Sequence, residues 1–106
     1  MDVNKDNAEK IARLAKALAH PTRIMILQFL AKQESCFFGD ISEIVAVSKA
    51  TMSQHLSELK NAGLIIGEVL PPKSVYCIDR KAWGEVKELF GSLIEACCEE
   101  KKCGCR

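Results

Sequence analysis

Residues 47–65 read VSKATMSQHLSELKNAGLI and contain one helix with its start and stop signals. Ser48 is an N-cap candidate, because its hydroxyl can accept a hydrogen bond from the free N–H groups of the first turn. Met52, Leu56 and Leu59 recur at the spacing of one helix face, which predicts that this face is buried. Gly63 supplies the left-handed residue that commonly ends a helix. The stretch therefore predicts a short amphipathic helix with a polar outer face.

The elements predicted around this helix make it the second helix of a helix-turn-helix. A short helix near 40–46 precedes it, separated by only Val47 and Ser48. Two longer helices are predicted further upstream, over about 7–19 and from Pro21, since Pro fits the first turn of a helix. Downstream, strand-forming runs flank 71–73 and predict a β-hairpin, followed by a last helix from Lys81. The order ααααββα predicts a mainly α fold, the winged helix-turn-helix.

The composition predicts one globular domain. The chain has 106 residues, of which 48% are apolar and 27% charged. The polar first ten residues predict no signal peptide, and no apolar run is long enough for a transmembrane helix, so we expect a cytoplasmic protein without a membrane partner. The net charge is only +1, but residues 48–81 carry five basic against three acidic side chains. A local excess is enough for a nucleic-acid surface.

The outer face of the helix in 47–65 carries side chains suited to reading DNA. Gln and Ser can hydrogen-bond base edges in the major groove, and Lys neutralises phosphate. The first residues of such a helix enter the groove. An ordinary surface helix is the alternative, and the predicted elements on both sides argue against it. The candidate DNA-binding residues are Ser48, Lys49, Thr51, Ser53, Gln54, His55, Ser57, Lys60 and, in the hairpin, Lys73.

Together with ALAHPTRIMILQFL at residues 17–30, this stretch resembles the ArsR/SmtB family of metal-sensing repressors, over residues 9–95. The most specific segments are AHPTR at 19–23 and SQHL at 53–56. The family implies a dimeric winged helix that occupies an operator in double-stranded DNA and leaves it when an inducer binds. We interpret His55 as a partly buried packing residue that makes a hydrogen bond, with base reading as the alternative, and His20 as a helix-boundary residue.

The apolar faces of the terminal helices predict a homodimer. One face of the last helix carries Trp83, Val86, Phe90, Leu93, Ile94 and Cys97. A chain this short has few other elements to cover such a stripe, and exposed apolar stripes usually mark an interface. We expect a symmetric homodimer that pairs through the last helix, with the first helix contributing.

Four of the six cysteines, Cys97, Cys98, Cys103 and Cys105, lie in the last ten residues. In a protein without a secretory signal, this predicts a soft-ion site rather than disulfides. We therefore divide the chain into a winged-helix domain, residues 1–96, and a cysteine-rich tail, residues 97–106. Adjacent thiols on a helix point about 100° apart, so Cys97 and Cys98 reach one ion only where the helix frays. Gly104 allows Cys103 and Cys105 to fold back, and either can supply a third thiol.

Three thiolates suit trivalent arsenic or antimony, and the tail resembles that of arsenite-responsive repressors with C-terminal sites. The resemblance implies arsenite, As(III), as the inducer. A monosubstituted organoarsenical needs only two thiols, and four thiolates suit zinc, cadmium or lead. A redox switch and a tail without a specific ligand also stay open. So does the placement of the site, within one subunit or across the dimer.

The remaining two thiols are interpreted as packing residues. One subclass of the family has a cysteine box before the recognition helix, but alignment on Asp40-Ile41 puts Phe37 at its ligand position and Cys36 one residue away. Residues 37–39 are expected to be a short connection. Cys77 lies in the second hairpin strand with no adjacent thiol in the sequence.

An enzyme is the rival from a different class, and a thiol oxidoreductase is the form it would take. Such an enzyme needs a cysteine of low pKa at a helix N-terminus and usually a βαβ unit. The sequence predicts no βαβ unit, and its clustered cysteines follow a helix. We therefore expect no enzyme.

Overall fold

The computed structural model describes residues 4–70 and 73–100, and its elements follow the order of a winged helix-turn-helix. They are α1 (Lys5–Ala17), α2 (Pro21–Ala31), β1 (Phe37–Phe38), a 3₁₀ helix (Ile41–Glu43), α3 (Lys49–Asn61), β2 (Ile65–Leu70), β3 (Lys73–Ile78) and α4 (Arg80–Cys98). The predicted fold class is confirmed. None of the described helices is long and apolar enough to cross a membrane.

Two local predictions differ from the structure. The short helix near 40–46 is a three-residue 3₁₀ helix, Ile41–Glu43. The expected connection at 37–39 contains β1, which pairs with β3 in an antiparallel sheet of strand order β1-β3-β2. Aromatic residues favour strands, and the edge of β3 that faces away from β2 offers unpaired backbone groups, so Phe37 and Phe38 add a third strand there.

The ends of the helices before the wing are set by local signals. Ser48 accepts a hydrogen bond from the backbone N–H of Thr51 at 3.1 Å, which confirms it as the N-cap of α3. Gly63, with φ of 81°, follows the last turn of α3 in the left-handed region, as predicted. His20 is the N-cap residue of α2, and Pro21 is its first residue. His20 is thus confirmed as a helix-boundary residue.

The core lies where α2, α3 and the base of the sheet meet. The most completely buried of its large side chains are Ile26, Leu30, Ile41, Leu59 and Leu64. The predicted inner face of α3 is confirmed, since Met52, Leu56 and Leu59 are all buried. This burial fixes which face of α3 points away from the domain.

The wing is the hairpin of β2 and β3, whose register runs from Ile65 opposite Ile78 to Leu70 opposite Lys73. Gly67 lies opposite Tyr76, and a Cβ atom at Gly67 would collide with the tyrosine ring. The glycine therefore lets this ring lie across β2, on the face of the sheet that packs against the core.

Helix α4 is anchored at its start and exposed at its end. Trp83 packs against the core and donates from Nε1 to the carbonyl oxygen of Leu64 at 3.0 Å. Val86 is buried and Phe90 half-buried, whereas every residue from 91 to 98 is exposed. We expected Trp83 and Phe90 to lie between subunits. In the structure both pack against the core of their own subunit.

Candidate nucleic-acid interface and thiol sites

The outer face of α3 presents most of the candidate DNA-binding side chains to solvent. Met52, Leu56 and Leu59 pack the opposite face against the core, so the outer face is directed to solvent. Gln54 makes a long hydrogen bond along the helix, from Nε2 to Glu58 Oε2 at 3.4 Å. The exposed candidates are Ser48, Lys49, Thr51, Ser53, Gln54, Ser57 and Lys60.

The wing flanks this face. A shallow cleft separates the second half of α3 from the hairpin, with Ser53, Ser57 and Lys60 on one wall and Tyr76 on the other. Lys73 begins β3 and pairs with Leu70 through the backbone. The outer face of α3 and the wing thus form one continuous surface, and Tyr76 belongs to it although no role was predicted for this residue.

The start of α3 is tied to the segment before it. Lys49 Nζ lies 3.6 Å from Asp40 Oδ2, and Asp40 also accepts hydrogen bonds from the backbone N–H and hydroxyl of Ser42. The Ser42 hydrogen bonds, aided by the Lys49 charge, hold the pKa of Asp40 below its usual range. Asp40 therefore stays ionised near neutral pH and forms an ion pair with Lys49, one of the candidate DNA-binding residues.

Behind the outer face, Arg23 and His55 join α2 to α3. Arg23 is buried, 8% exposed, and donates from Nε to His55 Nδ1 at 3.0 Å and from Nη1 to the Ala17 carbonyl oxygen at 3.1 Å. The ring of His20 lies 5.4 Å from that of His55. Burial, then the charges of Arg23 and His20, lowers the pKa of His55.

This contact matches the interpretation of His55 as a partly buried residue that makes a hydrogen bond. A contact of His55 with DNA stays a prediction. The role of Arg23 in linking the helices was not predicted from the sequence. It shares the helical spacing of Ile26, Leu27 and Leu30 on the buried face of α2, and a charge in such a stripe is the signal that could have revealed it.

The two tail thiols in the described part of the chain, Cys97 and Cys98, are both free and exposed in the last turn of α4. The next residue, Glu99, is already extended. Cys103 and Cys105 lie outside the described residues. Within 4–70 and 73–100, no group of three or more His, Cys, Asp or Glu side chains is arranged to hold a metal ion.

The interpretation of Cys36 and Cys77 as separate packing residues was wrong: the structure joins them in a disulfide. Phe37 lies opposite Tyr76, so the same register places Cys36 opposite Cys77. Both are half-buried. The sequence could not reveal the pair, because it depends on a strand, β1, that has only two residues.

Comparison with known proteins agrees with this architecture. The family model for bacterial regulatory proteins of the arsR family matches residues 20–66. The chain is 33% identical over 92 residues to the HTH-type transcriptional regulator YgaV of Escherichia coli, covering 87% of this chain and 90% of YgaV. It is 36% identical over 63 residues to a cadmium resistance transcriptional regulatory protein, a CadC homolog of Staphylococcus aureus, covering 59% of this chain and 52% of that protein.

A solved structure shows the same fold. The homodimeric winged helix-turn-helix DNA-binding domain of Mb0332 from Mycobacterium bovis superposes with a TM-score of 0.63 at 22% identity, covering 99% of this chain and 96% of that domain. The fold, the exposed outer face of α3 and the match to YgaV over most of both chains lead to one conclusion. This chain belongs to the ArsR family, whose members are DNA-binding transcriptional regulators and not enzymes.

Proposed function

We propose that this regulator is a repressor that binds operator DNA as a homodimer and leaves it when trivalent arsenic binds Cys97, Cys98 and a third thiol of the tail. Trivalent antimony has the same preference for thiolates and is expected to act in the same way. One observation carries the proposal: two adjacent, exposed, free thiols lie in the last turn of α4.

The exposed end of α4 supports a dimer. All residues from 91 to 98 are exposed, and among them Leu93 and Ile94 are 46% and 57% exposed. Two helical turns with an apolar face are not stable in water on their own, because helix formation needs a packed face or greater length. A second copy that covers this face supplies the packing, and the Mb0332 domain, which shares the fold, is a homodimer.

The thiol pair continues the same apolar stripe. Cys97 follows Leu93 by four residues and Ile94 by three, so it lies on the helix face that we assign to the interface. A ligand that draws Cys97 and Cys98 together must distort the last turn, since adjacent side chains diverge by about 100°. The distortion occurs where the two copies of α4 meet, so it alters how the subunits are oriented.

A change in subunit orientation is sufficient for release. Two recognition helices must match half-sites spaced by roughly 34 Å, one turn of DNA, so operator affinity is sensitive to small rotations. Each α4 connects directly to β3 of the wing through Asp79, whose carboxylate accepts a hydrogen bond from the Ala82 N–H. Movement of α4 is therefore transmitted to the DNA-binding surface.

The tail can supply the third ligand. Helix α4 ends at Cys98, and Glu99 has φ of −60° and ψ of 128°, so the chain leaves the helix directly after the pair. Cys103 and Cys105 follow within a few residues, a separation that an extended segment of about 3.3–3.6 Å per residue easily spans in a return turn. Bound arsenic would supply three sulfur bonds, and this chain's contribution is to bring the thiolates together.

The test uses the reduced full-length protein and a duplex selected from a random-sequence library with that protein. Fluorescence anisotropy follows release on titration with sodium arsenite, with a phosphine reductant because dithiols chelate arsenic. Cys97→Ser and Cys98→Ser should bind the duplex but no longer be released. Ala96→Ser, which adds a hydroxyl beside the pair and keeps both thiols, should respond as the wild type. Release of Cys97→Ser at wild-type arsenite concentrations would overturn the proposal.

A divalent soft metal is the second candidate inducer. The match to a cadmium resistance regulator and the four thiols of the tail favour it, since four thiolates form a normal tetrahedral site. Titration with cadmium and zinc in the same assay separates the two candidates. Release at lower cadmium than arsenite concentrations, lost in Cys105→Ser, would favour the four-thiolate site over the three-thiolate one.

A further inference from the structure

We infer that Cys36 and Cys77 form a reversible redox site, separate from the tail, whose oxidation to a disulfide fastens the wing to the helix-turn-helix and tightens DNA binding. The inference depends on the DNA-binding role of the family and not on the proposed inducer.

The two cysteines lie on the outer face of the sheet. Side chains alternate along a strand, and Tyr76 and Ile78 of β3 pack against the core. Cys77 therefore points to the opposite face, in one row with Cys36 and with Ile66, which is 53% exposed. Both cysteines are only half-buried, so small oxidants and reductants have access to the pair from this face.

The backbone already holds the pair at bonding distance. The Cα atoms of Cys36 and Cys77 are 4.4 Å apart. This is the separation of residues that face each other on antiparallel strands without exchanging hydrogen bonds. Formation of the disulfide therefore needs no rearrangement of β3, and the reduced pair stays poised to close whenever β1 is in place.

The disulfide joins the two ends of the DNA-binding unit. The two cysteines are 41 positions apart, and the segment between them includes the 3₁₀ helix, all of α3 and β2. Without the disulfide, β1 is held to the wing by the Phe37 and Phe38 pairings and by the hydrogen bond from Gly39 N–H to the Ser74 carbonyl oxygen. With it, both ends of β1 are fixed, and the wing cannot shift against the turn that leads into α3.

A hydroperoxide can serve as the oxidant that converts the two thiols to the disulfide. One thiolate attacks the outer peroxide oxygen, the O–O bond breaks, and a sulfenic acid and an alcohol (water, from hydrogen peroxide) are formed. The second thiolate then attacks the sulfenic sulfur, forms the S–S bond and releases water after protonation. The two thiols lose two electrons in total, which the peroxide gains. A dithiol reductant reverses the process by thiol–disulfide exchange.

Oxidation should strengthen DNA binding because it restricts the movement of the wing in the free protein, so less conformational entropy is lost when DNA binds. We expect the oxidised protein to bind its selected duplex at least about fivefold more tightly than the reduced protein, the lower end of usual coupling between sites. Reciprocity then requires that bound DNA make the disulfide harder to reduce by the same factor. Fivefold corresponds to a shift of about 21 mV in the two-electron reduction potential.

The experiment isolates the pair by replacing Cys97, Cys98, Cys103 and Cys105 with Ser. The protein is reduced, exposed to hydrogen peroxide, and examined by peptide mapping and by anisotropy with the selected duplex. Cys36→Ser should bind equally before and after peroxide. Ser35→Cys/Cys36→Ser keeps one thiol but moves it to the other face of the strand, so it should not pair with Cys77. A full-length protein that keeps both thiols free under peroxide overturns the inference, and so does a Cys36–Cys77 disulfide that leaves DNA affinity unchanged or weaker.

Discussion

Arg23 Nε donates a hydrogen bond to His55 Nδ1 at 3.0 Å, and this contact joins α2 to α3, the helix that carries most of the candidate DNA-binding residues. Since a guanidinium group has only N–H donors and no acceptor, His55 Nδ1 must carry no proton in this contact, and the proton of the neutral ring lies on Nε2. The same guanidinium donates to the carbonyl oxygen of Ala17, at the end of α1. The buried Arg23 side chain thus links α1, α2 and α3 behind the outer face of α3.

Arg23→Met should destabilise the domain by about 2 kcal/mol. Met keeps the aliphatic volume, but His55 Nδ1 and the Ala17 carbonyl oxygen lose their donor, and an unsatisfied buried acceptor costs about 1–3 kcal/mol. Urea unfolding followed by circular dichroism measures the change. Arg13→Met removes an exposed arginine from α1 and should change stability by less than about 0.5 kcal/mol. Equal effects of the two substitutions would contradict the structural role of Arg23.

The stability of the domain should fall as the pH falls below about 6.5. The pKa of His55 is lowered from 6.5 in the folded protein, by burial first and then by Arg23 and His20. Between the two pKa values the unfolded chain binds more protons, so the free energy of unfolding rises with pH. The contribution of His55 is complete above 6.5 and is lost as the pH falls through the folded-state pKa. His55→Gln cannot take up a proton, so its urea midpoint should change less than that of the wild type between pH 7.5 and 5.5. Parallel profiles would show that His55 is not the titrating group.

Substitutions on the outer face of α3 should separate base reading from phosphate contact. Gln54→Ala should reduce the ratio of specific to non-specific affinity, by about 1–3 kcal/mol if Gln54 makes a bidentate base contact. Lys49→Ala and Lys60→Ala should weaken binding to both kinds of DNA and flatten the salt dependence. Anisotropy with the selected duplex and with random-sequence DNA, at several salt concentrations, measures both effects. An unchanged ratio for Gln54→Ala would remove this residue from the base-reading set.

Prediction from the sequence succeeded where the signals are local. The ends of α3 at Ser48 and Gly63 and its buried stripe depend on neighbours within one or two helical turns, so they are readable from the chain itself. The Arg23–His55 contact and the Cys36–Cys77 pair span 32 and 41 residues. Their partners are chosen by tertiary packing and by the register of β1, and no spacing rule within a single segment encodes either. The thiols of Cys97 and Cys98 were found because they are clustered in the sequence.

Ile94→Asp should convert the dimer to a monomer without unfolding it. Ile94 is 57% exposed in the isolated subunit, so a carboxylate there costs little within the subunit, whereas in an apolar interface it would be buried as a charge. Sedimentation equilibrium should give the mass of one chain, 11.7 kDa, and the affinity for a two-half-site duplex should fall. Ser92→Asp places the same charge on the opposite face of α4 and should remain a dimer. A dimeric Ile94→Asp protein would place the interface elsewhere.

Operator binding and arsenite binding by the proposed repressor should weaken each other by the same factor. If arsenite lowers operator affinity through the dimer, saturating operator DNA must lower arsenite affinity equally, by about 5–150-fold. Isothermal titration of arsenite into the reduced protein, with and without the selected duplex, measures this directly. Cys103→Ser should lose most of the arsenite affinity and Cys105→Ser little, because the shorter return from Cys98 closes the three-thiol site with less ordered chain. Arsenite that releases the duplex, yet binds the free and the DNA-bound protein equally, would violate this linkage. Release would then have to come from a second site, and the tail would not be the sensor.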